Sequence, residues 1–496
     1  MNKMKNNSRI SELVIKVFQD NWNEIFVFDS LSDRRVTYGE FFGIICQLKD
    51  VLKLKGVVPG DKICFLLPNS LELCSLYFSC LLAGAVAVPI DPNKGEDGIN
   101  EVLFEADYKF LIAAGEFSAL DRMVNVDEFK QCFVGIKGSD KDQLQIFNDI
   151  DYQKLFLITF TSGSTGVAKG VMHSFSNLVL SAESFRERFH FSGKNVFYHN
   201  LPMSYMAGIL NLFVLPFISG SKVVLSEAFN VNHAMNFWDK PIRYQVNTFW
   251  FVPTIVSLLN RIDRGTNGIE YAKKNPITAC IGTAPLYGDV RREFEQKYHI
   301  ALYESYGLSE TLFVSTNYPK AVTATSSVGP RLNGVELIFD SDAEILINVP
   351  WMFLGYSNIS SVEYFKGKSY CSGDLGVEED GFLLITGRKK DLIIRGGVNI
   401  SPRKIEDFLG SCRIFEEYVV LGLQDPTLGE KIVCFYVAKD GGFDQMKKKE
   451  INSLIIQKWG RSYCIDEFIS LAQVPKNRNG KVDKIAIKQN YQSVKK

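Results

Sequence analysis

The sequence predicts an α/β protein in which a large N-terminal part is followed by a small C-terminal domain. Two observations lead to this fold class. Short apolar runs with strand character alternate with helix-like segments along residues 1–150, which is the pattern of a parallel α/β layer. After Gly376 the composition changes, because charges cluster at Glu378–Asp380 and again at Arg388–Asp391. We therefore expect a separate C-terminal domain behind a charged hinge.

The first strand–helix–strand unit shows how the elements are predicted. Ile63–Leu67 is a short apolar run, and the Pro68-Asn69-Ser70 segment after it can cap a helix. Gly84 would end that helix, and Ala85–Ile90 is then a second buried strand. Further strands are predicted at Leu155–Phe160, Val196–Leu201, Lys222–Leu225 and Thr278–Gly282. Beyond the hinge, the predicted elements are strands at Tyr418–Leu423 and Ile432–Val437 and an amphipathic helix near Lys447–Trp459.

Composition and charge exclude several classes of protein. The chain has 496 residues, of which 46% are hydrophobic and 23% charged, as in ordinary soluble globular proteins. This composition excludes a disordered chain and a small disulfide-stapled one. The 56 basic and 56 acidic side chains cancel, so nothing favours a nucleic-acid partner, which a strongly basic surface would indicate.

Cysteine use and the N-terminus predict a cytoplasmic protein. The ten cysteines are scattered and form no CxxC pair, so we expect free thiols in a reducing compartment. The first residues are polar and lack the apolar region of a signal peptide. The longest apolar stretch, Leu73–Ile90, is interrupted by Ser75, Ser79 and Gly84, so we expect protein core and no transmembrane segment there.

The strongest functional signal is a loop rich in glycine and hydroxyl side chains that follows the apolar run Leu155–Phe160. It consists of Thr161-Ser162-Gly163-Ser164-Thr165-Gly166-Val167-Ala168-Lys169-Gly170. Glycines let backbone N–H groups turn toward phosphate oxygens, the hydroxyls add donors, and Lys169 adds positive charge. The lysine lacks the Gly-Lys-Ser/Thr order of a Walker A loop. We therefore expect a phosphate-binding loop of another kind.

This loop resembles the phosphate loop of the adenylate-forming superfamily, which includes acyl- and aryl-CoA synthetases, peptide-synthetase adenylation domains and luciferases. The remaining motifs of that superfamily have counterparts here in the same order, and together they cover nearly the whole chain. These counterparts are Tyr303–Thr311, Ser372-Gly373-Asp374, Gly387–Asp391, Arg395–Pro402, and Pro475-Lys476 with Gly480-Lys481-Val482. The motifs are most similar to those of acyl- or aryl-CoA ligases.

The resemblance implies a domain organisation. A large multi-sheet α/β domain would span residues 1–389, and a small, mobile α+β domain would span residues 390–496. Lys390 occupies the position at which the family pivots its small domain, so it is the expected hinge. Lys389 beside it is expected to be a solvated charge.

The resemblance also implies a reaction. An ATP-dependent carboxylic acid:CoA ligase would form an acyl-adenylate with release of pyrophosphate, and then a thioester with release of AMP. The cofactors and substrates would be ATP, Mg²⁺, CoA and a small carboxylic acid. The Arg395-Gly396-Gly397 segment resembles one that is common in acyl-CoA synthetases, where small residues leave room for a thin pantetheine arm, and this resemblance favours CoA as the acceptor.

The motif side chains suit these roles chemically. Tyr306 offers a flat face to a purine, Glu310 is a hard oxygen ligand suited to Mg²⁺, and Thr311 can donate to a phosphate oxygen. Asp374 can accept hydrogen bonds from both ribose hydroxyls. Arg388 can bind the ribose or the α-phosphate.

Two lysines complete the expected catalytic set with Glu310 and Thr311. Lys481 is the candidate catalytic lysine, because a flexible ammonium can reach both the carboxylate and the α-phosphate. Lys169 would act from the phosphate loop. His173, just after that loop, is expected to cap a helix or to pack.

The segment Leu201–Gly208 resembles the family's substrate-facing motif but departs from it. Ser204 and Tyr205 stand where many members carry an aromatic residue followed by histidine. The segment contains no aspartate, which argues against an amino-acid substrate because a buried ammonium would lack a partner. The residues expected to line the acyl pocket are Tyr205, Met206, Gly282, Thr283 and Ala284.

Three alternatives share these motifs. The enzyme could load the phosphopantetheine of a separate acyl carrier protein, which needs the same chemistry. A nucleotide-binding protein without catalysis is disfavoured, because Lys169, Glu310, Asp374 and Lys481 are all retained. A luciferase-like oxygenase would act on an adenylated substrate.

Overall fold

The computed structural model describes residues 2–117, 120–134, 140–162, 168–319, 327–439, 443–476 and 482–494. Within these ranges the helices are α1 (Asn2–Asn21), α2 (Tyr38–Leu54), α3 (Leu71–Ala83), α4 (Glu96–Ala106), α5 (Phe175–Phe189), α6 (Leu215–Ile218), α7 (Asp239–Arg243), α8 (Pro253–Ile262), α9 (Asn267–Lys274), α10 (Gly288–Tyr298), α11 (Pro402–Cys412), α12 (Gln445–Trp459) and α13 (Lys484–Val494).

The strands of the N-terminal half are β1 (Ile25–Asp29), β2 (Arg34–Thr37), β3 (Lys62–Leu66), β4 (Val86–Ile90), β5 (Phe110–Ala113), β6 (Met123–Asn125), β7 (Leu155–Ser162), β8 (Ala168–Ser174), β9 (Val196–His199), β10 (Lys222–Leu225) and β11 (Thr248–Phe251). The later strands are β12 (Thr278–Ile281), β13 (Leu302–Leu308), β14 (Leu312–Thr316), β15 (Ser327–Gly329), β16 (Glu336–Phe339), β17 (Glu344–Asn348), β18 (Gly355–Tyr356), β19 (Phe365–Lys366), β20 (Ser369–Glu379), β21 (Phe382–Arg388), β22 (Ile393–Arg395), β23 (Val398–Ile400), β24 (Phe415–Asp425), β25 (Gly429–Ala438) and β26 (Glu467–Ser470).

Two mainly parallel sheets form most of the large N-terminal part. The first has the strand order β14-β13-β12-β11-β9-β10-β1-β2, and the second has the order β18-β8-β7-β4-β3-β5-β6. Helix α5 packs against β14 of the first sheet and against β7 and β8 of the second. The helices thus fill the space between the two sheets, as expected for an α/β layer architecture.

The core of this part is rich in phenylalanine. Phe41 of α2, Phe78 of α3 and Phe217 of α6 are fully buried. The ring centroids of Phe78 and Phe217 lie 4.8 Å apart at a steep angle, and those of Phe41 and Phe78 lie 5.5 Å apart. Edge-to-face packing of this kind stabilises aromatic pairs beyond the burial of their area.

Two smaller sheets complete the structure. An antiparallel sheet of order β15-β21-β20-β17-β16 belongs to the large part, with β19 paired to β20. The last sheet, β23-β22-β25-β24 with β26 paired to β25, belongs to the small C-terminal part. Helices α11 and α12 supply Ile405, Leu409 and Ile455 to the core of that small part.

The fold class predicted from the sequence is confirmed. A large multi-sheet α/β part precedes a smaller α+β part, and the first predicted unit is observed as the parallel pair β3 and β4 joined by α3. The Ser70 hydroxyl accepts from the Leu73 amide to start α3, and Gly84 ends the helix in the left-handed region at φ 69°. The other predicted strands are present as β7, β9, β10, β12, β24 and β25. Within the described ranges, no helix is both long and apolar enough to cross a bilayer.

The small part contacts the large one through α8, α10 and β21. The Tyr287 hydroxyl, just before α10, donates to the Glu406 carboxylate of α11 at 3.3 Å, and the Ser401 hydroxyl donates to the Thr386 carbonyl at 2.6 Å. Arg261 of α8 pairs with Glu417 at 3.3 Å. These contacts fix one orientation of the small part over the motif residues of β20 and β21.

Candidate active site

The phosphate-loop motif lies between two antiparallel strands of the second sheet. Strand β7 ends at Ser162, β8 begins at Ala168, and Thr161 pairs with Lys169. The Ala168 amide donates to the Glu101 carboxylate of α4 at 2.9 Å, which anchors the start of β8. Gly163, Ser164, Thr165 and Gly166 lie outside the described residues, and the predictions made for them stay predictions.

Glu310 lies on the hairpin turn between β13 and β14. Gly307 is required in this hairpin, because a Cβ atom there would approach the Leu312 carbonyl oxygen to 1.9 Å. The Glu310 carboxylate accepts from the Tyr356 hydroxyl at 2.7 Å. Its backbone carbonyl accepts from the Phe353 amide at 3.0 Å. The turn is therefore held by the segment that leads into β18.

Lys169 reaches the same region from β8. Its ammonium donates to the Tyr364 hydroxyl at 2.7 Å and lies 4.2 Å from the centre of the Tyr364 ring. It also lies 5.5 Å from the centre of the Tyr356 ring. The pairing of β18 with β8, which places Tyr356 opposite Val171, brings these side chains together.

Asp374 and Arg388 form a second charged group, on the antiparallel sheet. The pairing of β20 with β21 places the two residues directly opposite each other, where opposite charges interact. Arg388 Nε donates to Asp374 Oδ1 at 2.6 Å, and the Tyr306 hydroxyl donates to Asp374 Oδ2 at 2.8 Å. Burial, followed by the negative charge of Asp374, raises the pKa of Tyr306, so its hydroxyl stays protonated as a donor.

The β13–β14 hairpin joins the two groups. Tyr306 on β13 contacts Asp374, and Glu310 at the turn contacts Tyr356. The structure thus brings together Lys169, Tyr306, Glu310, Asp374 and Arg388, which the sequence placed in motifs far apart along the chain.

Thr311 is placed differently from the other residues of its motif. Its side chain is 0% exposed, and its hydroxyl has no hydrogen-bond partner among the described residues. Its carbonyl accepts from the indole N–H of Trp351 at 2.8 Å. In this conformation the hydroxyl is below the surface, whereas the neighbouring Ser309 is partly exposed. The role of Thr311 as a phosphate donor stays a prediction.

The His173 side chain of β8 contacts the turn that carries Glu310. Its Nε2 lies 2.6 Å from the Ser309 carbonyl oxygen and therefore carries the proton that is donated. Burial lowers the pKa of His173 to about 4, so the ring is neutral at pH 7. The sequence predicted only capping or packing for this histidine, and the structure shows that it connects β8 to the turn that carries Glu310.

Tyr205 lies between β9 and the π-helical turn Ala207–Val214, and its side chain contacts the residue that follows β4. Its hydroxyl donates to Asp91 Oδ2 at 3.3 Å. Together with Ile90, Val102 and Phe160 it lines a cavity of about 10 Å³, which is the size of one water molecule. Asp91 was not singled out by the sequence, because it lies outside every recognised motif.

The other predicted acyl-pocket residues lie in the segments that follow β9 and β12 of the first sheet. Met206 precedes the π-helical turn Ala207–Val214, and Gly282 follows β12. A Cβ atom at Gly282 would lie 2.9 Å from the Ser305 carbonyl oxygen and 3.9 Å from the Trp250 ring. Thr283 has φ +71°, which is strained for a β-branched residue and is typical of functional sites. Ala284 beside it is half-buried.

The segment predicted to be the hinge is a turn, Lys389–Asp391, after β21. Lys389 is exposed, as expected for a solvated charge, and it also forms ion pairs with Asp342 at 3.2 Å and with the buried Glu344 at 3.1 Å. Lys390 is exposed. Lys484 pairs with Asp391 at 2.6 Å. Lys481 lies outside the described residues, so its role stays a prediction.

The Glu310 carboxylate would suit a metal ion that binds together with a nucleotide. No group of three or more potential metal ligands occurs within the described ranges. Glu310 therefore offers a carboxylate without a preformed protein cage. Magnesium is commonly bound in this way, by one or two carboxylates together with phosphate oxygens and water.

Sequence reasoning missed three tyrosines of this site. Tyr356 lies in β18, Tyr364 ends a short 3₁₀ turn, and Tyr370 lies in β20. No spacing rule connects them, because strand pairing places Tyr356 and Tyr370 whereas a 3₁₀ turn places Tyr364. Their positions in the sequence carry no signal that marks them as one group.

Comparison with known proteins identifies the family. Residues 18–357 match the profile of the AMP-binding enzyme family, and residues 404–481 match the profile of the AMP-binding enzyme C-terminal domain. The medium-chain fatty-acid–CoA ligase of Escherichia coli is 27% identical over 492 residues, which cover 92% of this chain and 85% of that protein. The 2-succinylbenzoate–CoA ligase of Listeria innocua is 25% identical over 464 residues, which cover 92% of this chain and 95% of that protein.

A solved structure shows the same fold. The crystal structure of ATP-bound MatB from Rhodopseudomonas palustris superposes with a TM-score of 0.85 at 21% identity, covering 98% of this chain and 100% of that one. The two profile matches confirm the resemblance to the adenylate-forming superfamily. Because the profile match extends over more than half of the chain, this protein belongs to the AMP-binding enzyme family.

Proposed function

We propose that this protein is an ATP-dependent carboxylic acid:CoA ligase that acts through an acyl-adenylate. The observation that carries the proposal is the β13–β14 hairpin, which joins the Asp374–Arg388 pair to the Glu310–Lys169 group. One group suits a ribose and the other suits phosphates with a divalent cation. The CoA ligases among the relatives support the same activity.

In the first step, an oxygen of the substrate carboxylate would attack the α-phosphorus of ATP. A new phosphorus–oxygen bond forms, the bond to the pyrophosphate breaks, and pyrophosphate leaves. Lys169 and the proposed Lys481 would meet the negative charge that develops on the phosphates. Asp374 would accept from the ribose hydroxyls, and Arg388 would bind the ribose or the α-phosphate.

In the second step, the CoA thiol would attack the acyl carbon of the adenylate. The carbon–sulfur bond forms, the bond to the AMP oxygen breaks, and AMP leaves. The mixed anhydride is open to hydrolysis, so a closed site protects it. Arg395 and the two glycines after it would lie along the path of the pantetheine arm.

Magnesium would be held by Glu310 and the phosphates of ATP. When bound, it would neutralise charge on the β- and γ-phosphates. The chain's own contribution is to orient the Glu310 carboxylate through the Tyr356 hydroxyl.

The acyl group is proposed to be uncharged. The pocket residues proposed from the sequence are Tyr205, Met206 and Gly282–Ala284, and none of them carries a charge. The Asp91 carboxylate already accepts from Tyr205 and from the backbone and side chain of Asn93. Among the described residues of this wall, the Asp91 carboxylate is already bonded to these donors, so a substrate ammonium would have to compete with them for it.

The domain boundary is proposed at Lys390, with residues 1–389 as the large domain and 390–496 as the mobile one. The Lys389–Asp391 turn lies at the point where β21 ends and the small part begins. Lys390→Pro would fix φ near −65° and restrict rotation. Adenylation should then survive while thioester formation stalls. Lys390→Ala, which keeps the backbone free, should support both steps.

The test of the proposed function is a screen for pyrophosphate release. Purified protein is incubated with ATP, Mg²⁺ and a panel of aliphatic and aryl acids, with CoA or with a holo acyl carrier protein. We expect acid-dependent pyrophosphate release and a CoA thioester. A thioester on the carrier alone would replace CoA by a carrier protein as acceptor, and no release with any acid would contradict the ligase assignment.

A further inference from the structure

Three tyrosines, Tyr356, Tyr364 and Tyr370, surround the side chains of Lys169 and Glu310, and we call them the tyrosine cluster. Tyr356 and Tyr370 are buried, and their hydroxyl oxygens lie 2.9 Å apart. Phe353 packs against both rings, at 5.0 Å from Tyr356 and 5.5 Å from Tyr370. This packing holds the phenol rings in place, as a site that depends on precise geometry requires.

The cluster offers the Glu310 carboxylate a fixed donor. The Tyr356 hydroxyl donates to Glu310 Oε1 at 2.7 Å. An ordinary phenol has a pKa of about 10, so a tyrosine hydroxyl is a hydrogen-bond donor at physiological pH. The two hydroxyls also contact each other, and either one can be the donor in that contact. Tyr370 is within hydrogen-bonding reach of Glu310 as well.

The same cluster holds the Lys169 ammonium in a different place. Tyr364 accepts a hydrogen bond from Nζ at 2.7 Å and faces it with its ring at 4.2 Å. The Tyr356 ring lies 5.5 Å from Nζ, and it packs against the Tyr364 ring at 5.2 Å. A cation over aromatic faces is stabilised by the ring electrons.

Tyr356 thus contacts both charged groups, the ammonium with its ring and the carboxylate with its hydroxyl. Within the described ranges, Lys169 and Glu310 form no ion pair with each other. A direct pair would neutralise both groups, because an ammonium and a carboxylate in contact satisfy each other. Held apart, the ammonium stays available for phosphate and the carboxylate for a cation.

We propose that Tyr356 is a positioning residue that holds the Glu310 carboxylate away from the Lys169 ammonium and directs it toward the divalent cation of the nucleotide. This inference rests on the proposed function, because it assumes that ATP binds here with Mg²⁺. Tyr370 supports Tyr356 through the contact between their hydroxyls. Tyr364 acts on Lys169 alone.

The test measures ATP binding by titration calorimetry in the absence of a carboxylic acid, once with Mg²⁺ and once with EDTA. The quantity compared is the ratio of the two dissociation constants. Tyr356→Phe keeps the ring and removes the donor, so it should reduce the gain in affinity from Mg²⁺ by about tenfold or more, the size expected for a hydrogen bond to a charged group. Affinity in EDTA should stay within about twofold of wild type.

Two further variants and a matched control complete the design. Tyr370→Phe should reduce the Mg²⁺ gain less than Tyr356→Phe does, and it tests the proposal if Tyr356→Phe does not fold. Tyr364→Phe should leave the Mg²⁺ gain unchanged. Tyr152→Phe removes a buried hydroxyl that donates to the Phe147 carbonyl at 2.8 Å in the N-terminal core, and it should change neither constant.

The outcomes separate this inference from the proposed function. Wild-type ATP binding with an undiminished Mg²⁺ gain in both Tyr356→Phe and Tyr370→Phe would overturn the positioning role alone. A gain that falls equally in Tyr152→Phe would also overturn it. No ATP binding by the wild-type protein would overturn the proposed function and this inference with it.

Discussion

The site contains two carboxylate–cation combinations that are built in opposite ways. Asp374 is in direct contact with Arg388 at 2.6 Å, and Tyr306 occupies its other oxygen. Glu310 does not touch Lys169, and a tyrosine contacts each of them instead. Tyrosine hydroxyls contact both carboxylates. The Tyr306 hydroxyl binds Asp374 in addition to the Arg388 ion pair. The Tyr356 hydroxyl binds Glu310, which has no ion pair with Lys169.

The difference matches the ligands that the two groups would bind. A ribose is neutral, so a carboxylate that is already balanced by an arginine can accept from its hydroxyls without a large change in charge. A phosphate and a divalent cation are charged, so they need partners whose charges are not already neutralised. The geometry therefore predicts which half of the site depends on metal and which does not.

The largest effect is expected on the rate of pyrophosphate release when Glu310, the carboxylate that forms no ion pair with Lys169, loses its charge. Glu310→Gln should reduce the rate of acid-dependent pyrophosphate release by roughly 10²–10³-fold, as for other groups that stabilise transition-state charge. Glu363→Gln removes an exposed carboxylate next to Tyr364 and is the matched control. A Glu310→Gln rate within about threefold of the control would show that the Glu310 carboxylate is not used.

The two partners of the Asp374–Arg388 ion pair should differ in how much their removal lowers the free energy of unfolding. Arg388→Gln leaves the Asp374 carboxylate, which is 2% exposed, without its cation, and this should lower the free energy of unfolding by about 3 kcal/mol or more. Asp374→Asn leaves an arginine side chain that is 48% exposed and can turn to water, so it should cost about 1 kcal/mol. Urea unfolding of both variants measures the two values. Equal losses would mean that Asp374 is not effectively buried.

The turn that carries Glu310 is also held by His173, which is neutral at pH 7. The folded-state pKa of His173 is lowered by burial to about 4, against about 6.5 for an unfolded chain. The unfolded state therefore binds more protons in this window, so stability falls as the pH is lowered from about 6.5 to about 4. At pH 5 this histidine should account for a loss of about 2 kcal/mol relative to pH 8.

Urea unfolding between pH 8 and pH 5 measures that loss. His173→Asn should show a shallower pH dependence than wild type, whatever its absolute stability. His190→Asn is the control, since His190 is exposed and its left-handed backbone conformation suits asparagine. His199 is also buried, with a pKa lowered to about 4, so part of the pH dependence should remain in His173→Asn.

The smallest effect is expected on ATP affinity when the Tyr306 hydroxyl is removed, and it compares the two carboxylates directly. Tyr306→Phe removes the phenol that donates to Asp374 and leaves the ion pair in place. It should weaken ATP binding by about fivefold, near the net value of one hydrogen bond, and equally with Mg²⁺ and with EDTA. The calorimetric ratio used for Tyr356→Phe measures this. A loss confined to the Mg²⁺ condition would mean that the two phenols act on the same ligand.

Much of the fold was predictable because the relevant patterns are local. Strand β4 follows α3 after Gly84, and both follow from apolar runs and capping residues that lie next to each other in the chain. The change in composition after Gly376 indicated the small C-terminal part. The antiparallel sheet around β20 was not predicted. Its hairpins β16–β17 and β20–β21 are local, but the pairing of β17 with β20 and of β15 with β21 joins strands that are not neighbours in the chain.

The candidate site was predicted in part. Lys169, Glu310, Asp374 and Arg388 were found because each lies in a short motif with a chemical reason for its residues. Asp91, which meets Tyr205, and the tyrosine cluster were not found. Thr311 was found from its motif, but the motif did not reveal that the residue is fully buried.

The sequence by itself determined the family, the order of the motifs and the charged groups that they supply. Those properties depend on residues that are neighbours in the chain. Only the tertiary structure decided which charges meet and which are kept apart. The register of β20 against β21 brings Asp374 to Arg388, and the pairing of β18 with β8 places Tyr356 beside both Lys169 and Glu310. Strand register depends on packing over the whole sheet, and a single short motif carries no record of it.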